Sequence, residues 1–330
     1  MARLSAIEQR FRKKLSAVGS RGDVLILGVS GGPDSMALLD LATRWARSTH
    51  SIVGVAHLDH GWRPESGEDR EFVAQEACAR GVPFFSARAD LATHSEADAR
   101  AARFRFFARV AKSFGANATL LAHTADDQAE TVLMRLARGA GIRGVGAMRT
   151  ETTIDVDGTA LRILRPLLGT TRRELRRYLD QHLIPTRHDS TNDDPRWRRN
   201  RVRNELVPLL EEIAPGATSA IARFADIAAD HADLIDTLAR SLLDNVGMTS
   251  RTNETTFRRR PFCAAAATSQ RAALHLLAGD LGAVDITMER IDAARAAIVE
   301  GSEDSEIEWP GGLTVRIGDD CVALLRRGEG

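Results

Sequence analysis

An apolar run that leads directly into a glycine- and serine-rich loop and then a helical pattern constrains the fold of this chain more than any other feature. Residues 24–29 read VLILGV, residues 30–35 read SGGPDS, and an amphipathic helical pattern covers residues 34–47. Glycines let a ligand approach the backbone, and the start of a helix carries a partial positive charge. The segment therefore predicts an α/β fold with an anion-binding loop between its first sheet strand and the helix that follows.

Three common loop motifs have to be weighed against this segment. A P-loop needs a lysine after its second glycine, and the chain has no lysine between Lys14 and Lys112. The glycines do not have the G-x-G-x-x-G spacing of a dinucleotide-binding loop. Residues 28–32 do satisfy the G-x-S-x-G pattern of a hydrolase nucleophile elbow. Such an elbow normally follows several earlier strands of its sheet, whereas only one helical segment, residues 5–18, precedes this loop. The pattern is therefore interpreted as a coincidental match.

Strand-like and helix-like segments alternate along the first 140 residues. The apolar runs lie at 24–29, 52–57, 83–87 and 118–122, and the helical patterns lie at 34–47, 67–80, 96–114 and 126–138. This rhythm predicts a doubly wound parallel sheet that is covered on both faces and binds ligands at the carboxyl ends of its strands.

The second predicted strand ends in two histidines and an arginine. His57 and His60 are not four apart on a helix and have no third ligand nearby, which disfavours a zinc site. We expect instead a loop that closes over a nucleotide, with Arg63 as a phosphate partner.

The fourth predicted strand ends in a run of polar residues, HTADDQAE at 123–130. Asp127 and Glu130 are three residues apart and share a helical face, where they could hold Mg²⁺ or orient an amine. Acidic residues in the first turn can also simply complement the helix dipole. The position of the run at a strand end favours the functional interpretation.

Arginines form two further candidate groups. Arg100 and Arg103 share one helical face and could bind phosphate bidentately, although they could equally be surface charges. Residues 196–203 contain five arginines and one tryptophan, a pattern that favours a polyanion contact over a solvated helix face. The predicted RNA-binding residues are Arg138, Arg198, Arg199, Arg201 and Arg203.

Composition and length limit the remaining possibilities. The chain has 330 residues, 43% hydrophobic content, a formal net charge of zero and three widely spaced cysteines. With no apolar span of membrane length, no secretory pattern at the start and no paired cysteines, a reduced, cytoplasmic protein without a membrane partner is expected. We place a domain boundary at residues 214/215, with a mainly helical second part, 215–330, that ends in short strands. The sequence is compatible with a homodimer but does not determine it.

Taken together, the motifs resemble the tRNA(Ile)-lysidine synthetases, which are N-type ATP pyrophosphatases with a PP-loop. The matching motifs are SGGxDS at 30–35, HxxHxxR at 57–63, EAxARxxR at 96–103, AHTxDDQxET at 122–131, the glycine loop at 138–146 and RNxxR at 199–203. One departure is Thr191, where the family usually has serine. The resemblance implies an adenine nucleotide alpha hydrolase-like fold and a helical tRNA-binding appendage at the C-terminal end.

The resemblance also implies a reaction and its participants. ATP, with Mg²⁺, would adenylate the C2 oxygen of the wobble cytidine in the minor isoleucine tRNA, which has a CAU anticodon, and free L-lysine would then displace AMP. The implied catalytic residues are Asp34, Arg103, Asp127 and Glu130, and Asp34 is also the implied metal ligand. The implied cofactor-binding residues are Ser30, Gly31, Gly32, Pro33, Asp34, Ser35, His57, His60, Arg63 and Arg100.

Other functions on the same loop remain open at this point. A tRNA thiolase of the 2-thiocytidine type needs paired cysteines, which the three single cysteines do not supply. A small-molecule ATP-dependent amide ligase would not need the arginine patch. A non-enzymatic RNA-binding module would leave the acidic residues at the strand ends without a purpose.

Overall fold

A computed structural model describes residues 4–19, 22–61, 66–89, 95–187, 198–283, 286–301 and 305–326. The chain forms two compact units, Met1–Ala229 and Asp230–Gly330. This division falls within a long helix, Ala217–Asn245, whereas the boundary that we predicted lies just before that helix. None of the described helices is long and apolar enough to cross a membrane.

The first unit contains a six-stranded sheet in the order β3-β2-β1-β4-β6-β5. Its strands are β1 (Val24–Gly28), β2 (Ile52–Asp59), β3 (Phe84–Arg88), β4 (Ala118–Leu120), β5 (Glu151–Val156) and β6 (Thr159–Leu164). Neighbouring strands from β3 to β6 are parallel, and β5 pairs antiparallel with β6 at one edge. The predicted doubly wound sheet is confirmed, and the carboxyl ends of β1, β2, β4 and β6 share one edge.

Helices cover both faces of this sheet. They are α1 (Ala6–Val18), α2 (Pro33–Thr49), α3 (Ser66–Ala79), α4 (Glu96–Phe114), α5 (Ala125–Leu136), α6 (Ile142–Val145) and α7 (Arg172–Gln181). Successive residues of a strand point to opposite faces. Accordingly, Leu25 and Leu27 of β1 belong to one buried cluster with α1, α2, α3 and α7, while Ile26 belongs to a second cluster with α4.

A helical segment follows the sheet in the first unit. It consists of α8 (Arg198–Arg201), a π-helical turn (Val202–Leu206) and α9 (Val207–Ile213), and α10 (Ala217–Asn245) comes next. A single π turn inside a helix shifts the direction of the side chains that follow it. The arginines of residues 198–203 lie in and beside this irregular turn.

The second unit combines helices with a five-stranded antiparallel sheet in the order β7-β8-β11-β10-β9. Its elements are β7 (Thr249–Arg251), β8 (Glu254–Arg258), α11 (Arg259–Cys263), α12 (Ala267–Asp280), α13 (Met288–Glu300), β9 (Ser305–Trp309), β10 (Leu313–Ile317) and β11 (Cys321–Arg326). We predicted the helices that correspond to α10, α12 and α13 and the last strands, but not the short helix α11. The hairpin of β7 and β8 was not predicted, because its strands are short and polar.

Candidate active site

The loop between β1 and α2 is organised around the hydroxyl group of Ser35. This oxygen accepts hydrogen bonds from the backbone N–H groups of Ser30 at 3.2 Å and Gly31 at 3.1 Å, and it donates to the carbonyl of Gly32 at 2.9 Å. Helix α2 begins at Pro33 and has no side-chain cap. Its first N–H groups are therefore available to an anion, as predicted for a phosphate-binding loop.

Gly31 holds a backbone conformation that favours glycine. Its φ is +94°, and a Cβ atom there would lie 3.4 Å from Val73 and 3.5 Å from Phe72 of α3. Its carbonyl accepts a hydrogen bond from the backbone N–H of Arg187 at 2.9 Å. The loop is thus fixed by α3 on one side and by the segment after α7 on the other.

The histidines at the end of β2 have different surroundings. His57 is buried, and its Nδ1 lies 2.9 Å from the carbonyl oxygen of Val29, so this side chain supports the strand end that leads into the loop. Burial lowers the pKa of His57. His60 lines the cavity beside the loop. Arg63, the predicted phosphate partner, lies outside the described residues, as does Thr191.

Asp127 uses its two carboxylate oxygens for different purposes. Oδ2 accepts hydrogen bonds from the backbone N–H of Thr124 at 2.9 Å and from its hydroxyl at 3.0 Å, which caps α5. Oδ1 is left to face arginine side chains. Next to it, Gln128 bonds to both the backbone N–H and the carbonyl of Met148, so it fixes the chain that enters β5.

Arg172, the first residue of α7, joins the acidic groups of the site. Its guanidinium donates to Asp127 Oδ1 at 2.6 Å, to Glu130 Oε1 at 2.7 Å and to Asp34 Oδ2 at 3.2 Å. Its backbone N–H donates to Asp126 Oδ2 at 2.8 Å. Since charge-assisted bonds of this kind are strong, Arg172 fixes the relative positions of the loop after β1 and the start of α5.

Two of the predicted RNA-binding arginines also contact these acids. Arg199 donates to Glu130 Oε2 at 2.8 Å and to Asp127 Oδ1 at 3.2 Å. Arg203 donates to Glu130 Oε1 at 2.8 Å and Oε2 at 3.2 Å, and to Asp127 Oδ1 at 3.4 Å. Arg201 instead pairs with exposed Glu205. The remaining two, Arg138 and Arg198, are exposed.

The arginines determine the charge state of the carboxylates. Burial by itself would raise the pKa of Asp127, but the guanidiniums of Arg172 and Arg199 lower that pKa to about 2. The pKa of Glu130, whose side chain is only 1% exposed, is also lowered, because bonds to Arg203 and Arg172 outweigh its burial. Burial raises the pKa of Asp34 to about 6, even though Arg172 opposes the shift. Asp127 and Glu130 are therefore ionised at neutral pH.

Asp34, Asp127, Arg172 and Arg203 line a cavity of about 1170 Å³ in the first unit, and Glu130 is bonded to these two arginines of the lining. Arg103 and His123 line it as well, whereas Arg100 stacks on the ring of Phe104, 4.7 Å from its centre, and does not reach the cavity. Burial lowers the pKa of His123 to about 3, so its imidazole is neutral at physiological pH. The cavity therefore combines the loop between β1 and α2 with carboxylates, guanidiniums and a neutral imidazole.

Asp34 could bind a magnesium ion together with the phosphate oxygens of a bound substrate. Within the described residues, no group of three or more His, Cys, Asp or Glu side chains is placed to hold a metal. Mg²⁺ commonly takes one or two carboxylates together with substrate phosphates. Asp34 belongs to the loop of residues 30–35 and is the first-turn acid of α2, so it suits that type of site.

Arg172 and His123 were not among the predicted site residues. His123 belongs to the run HTADDQAE at 123–130, in which roles were predicted for the acids only. Arg172 follows the strand β6, which is parallel to β4, so its carboxyl end lies at the same sheet edge. The signal in the sequence is its position after a fifth parallel strand, because residues that follow the carboxyl ends of parallel strands meet at one sheet edge. We had considered only the ends of the first four predicted strands.

Comparisons with known proteins agree with this geometry. The PP-loop domain family matches residues 4–210. The tRNA(Ile)-lysidine synthase of Geobacter sulfurreducens is 37% identical over 93% of this chain and 66% of its own length. A Thermus thermophilus protein of the same name is 42% identical over 71% of this chain and 44% of its own length. The chain thus spans two thirds or less of these relatives.

A solved structure shares the fold. The U34-tRNA thiolase of Methanococcus maripaludis superposes with a TM-score of 0.57 and 15% identity, over 68% of this chain and 78% of that protein. At this identity the likeness concerns the fold alone.

Proposed function

Because the chain belongs to the tRNA(Ile)-lysidine synthase family of PP-loop proteins, we propose that it joins free L-lysine to C2 of the wobble cytidine of the minor isoleucine tRNA in an ATP-dependent reaction. In the first step, the C2 oxygen attacks the α-phosphorus and pyrophosphate leaves. In the second, the ε-amine attacks C2, loses a proton and displaces AMP. The observation that supports this proposal is that one cavity is lined by both the phosphate-binding loop and ionised Asp127, while ionised Glu130 is bonded to Arg172 and Arg203 of the same lining.

We assign the first step to the loop and its neighbours. The N–H groups at the start of α2 and the hydroxyl of Ser30 would bind the phosphates, and Ser35 would keep the loop in shape. Mg²⁺ held by Asp34 and the phosphates would neutralise charge on the leaving pyrophosphate. Arg103, which lines the same cavity, would bind the α-phosphate or the developing adenylate.

The second step requires a neutral amine. The ε-amine of free lysine has a pKa of about 10.4, so removing its proton at pH 7 costs about 4.6 kcal/mol, at about 1.36 kcal/mol per pKa unit. Asp127, with a pKa of about 2, is a poor proton acceptor. We therefore assign Asp127 and Glu130 to holding and orienting the ammonium group, and the proton is released to solvent water.

Binding of lysine at this pair also requires a rearrangement. Arg172, Arg199 and Arg203 already donate to the oxygens of Glu130 and to Asp127 Oδ1. An ammonium group reaches these oxygens only when a guanidinium turns away from them. The released guanidinium is then available to the phosphate of the adenylated intermediate, which couples the two steps.

A test separates the steps with α-labelled ATP and an unmodified transcript of the minor isoleucine tRNA. We expect adenylated tRNA and pyrophosphate without lysine, and lysidine with AMP when lysine is added. Asp127→Asn and Glu130→Gln should retain adenylation and lose lysine transfer. ADP as the nucleotide product, or a thiolated cytidine with a sulfide donor in place of lysine, would refute the proposal.

A further inference from the structure

Three arginines of α7 face the cavity, and the reaction proposed above does not use them. Arg173, Arg176 and Arg177 line it together with the phosphate-binding loop. All three are exposed, while the opposite face of α7 is buried in the core of the first unit. We call these three residues the α7 arginine row.

The row is only weakly neutralised by protein acids. In the part of the chain that the structure describes, no ion pair within 4.0 Å joins Arg176 or Arg177 to an acid. Arg173 lies near Glu211, whose pKa is lowered mainly by hydrogen bonds from Thr218 and Gly216 and only in part by Arg173. Asp180 and Glu211 also line this region of the cavity, so it is not uniformly positive.

The row begins close to the reacting groups and leads away from them. Arg172 contacts the site carboxylates, and four residues along an α-helix advance by about 6 Å, so Arg176 lies one turn beyond it. The cavity volume of about 1170 Å³ exceeds the range of roughly 300–1,000 Å³ that is typical of small-ligand pockets. There is room for a polymer substrate beside a nucleotide.

We propose that the α7 arginine row binds the backbone phosphates of the nucleotides next to the reacting base. Guanidiniums bind phosphates bidentately and stay charged at every physiological pH. The arginines nearest to the acids, Arg199 and Arg203, are held in ion pairs with Glu130 and lie beside the adenylate, which leaves the phosphates of the RNA backbone to cations farther along the cavity wall. This inference rests on the proposed function, because it assumes an RNA substrate.

The test measures RNA binding without turnover. The full chain with Arg176→Gln and Arg177→Gln together is titrated against a fluorescent transcript of the minor isoleucine tRNA at several salt concentrations. We expect the Kd at low salt to rise on the order of tenfold, and the slope of log Kd against log salt to fall by about 0.7–0.9 for each phosphate interaction that is removed. The matched control is Arg105→Gln with Arg109→Gln, two exposed arginines of α4 that do not line the cavity.

The outcomes separate this inference from the proposed function. Unchanged Kd and slope in the α7 variant, or the same loss in the α4 control, would overturn the inference. Weaker ATP binding with unchanged RNA binding would assign the row to the nucleotide and overturn it as well. Failure of lysine transfer in the wild-type chain would refute the proposed function, but it would leave this binding result unaffected.

Discussion

The guanidinium of Arg172 lies 2.6 Å from Asp127 Oδ1, which links the first turn of α7 to the first turn of α5. Both side chains are largely buried, with exposures of 18% and 11%. The other oxygen of Asp127 is taken by the cap of α5, so the direction of Oδ1 is fixed by the helix itself. The ion pair therefore positions Arg172 against a rigid group rather than a freely rotating side chain.

Replacement of Arg172 by glutamine should destabilise the protein. Removing one partner of a buried ion pair costs about 3–5 kcal/mol, and we expect about 3 kcal/mol here because Arg199 and Arg203 continue to neutralise the acids. Urea denaturation of the ligand-free chain measures this change. Arg10→Gln removes an equally short but exposed bond, to Glu174, and should cost less than about 1 kcal/mol. Equal effects of the two substitutions would contradict the prediction.

The parts of the site that could be predicted from sequence are those built from local patterns. The segment from β1 to α2 is continuous in sequence, and its strand, loop and helix each have a clear signature. The same holds for the capping pair Thr124 and Asp127, which are three residues apart. Local periodicity and turn chemistry are sufficient for such features.

The features that could not be predicted depend on contacts between distant segments. Arg172 meets Glu130 across 42 residues of sequence, and Arg203 meets it across 73. An arginine-rich segment has the same composition whether it faces solvent, RNA or buried acids. Only the three-dimensional arrangement shows that Arg199 and Arg203 turn toward the carboxylates.

The raised pKa of Asp34 predicts a pH dependence of stability. The folded-state pKa of about 6 lies above the unfolded value of about 3.9. The folded chain therefore binds the additional proton, and this contribution is complete below pH 4 and lost as the pH rises through 6. The free energy of unfolding should fall by about 3 kcal/mol across this window because of Asp34, at about 1.36 kcal/mol per pKa unit.

Asp34→Asn isolates this contribution, because the amide does not titrate. Urea denaturation at a series of pH values, without Mg²⁺ or nucleotide, should show the difference in stability between variant and wild type shifting by about 3 kcal/mol in favour of the variant from pH 4 to pH 7. Parallel pH curves for the two proteins would show that the Asp34 pKa is not raised.

The two glycines of the loop should respond differently to alanine. Gly31 has a φ of +94° and Val73 beside its Cβ position, so Gly31→Ala should cost about 1–2 kcal/mol of stability. Among the described residues, a Cβ atom on Gly32 meets only the hydroxyl of Ser30, at 3.6 Å, and Gly32 lines the cavity. Gly32→Ala should therefore keep its stability, while ATP binding measured by calorimetry weakens at least tenfold. Normal ATP affinity in Gly32→Ala would exclude close approach of phosphate to this backbone.

Substitutions of the arginine segment distinguish RNA binding from organisation of the acids. Arg199 and Arg203 contact Glu130, so Arg199→Gln and Arg203→Gln should lower lysine transfer at saturating tRNA, on the order of tenfold to a hundredfold, with less than a twofold change in the Kd for tRNA. Arg201 pairs only with exposed Glu205 among the described residues, and Arg201→Gln should change neither quantity by more than about twofold. The sequence-based expectation was that all three contact RNA. If Arg199→Gln and Arg203→Gln raise the Kd for tRNA but leave lysine transfer at saturating tRNA unchanged, these arginines contact RNA as the sequence predicted. Loss of an interaction that only binds tRNA weakens the complex without slowing the reaction within it.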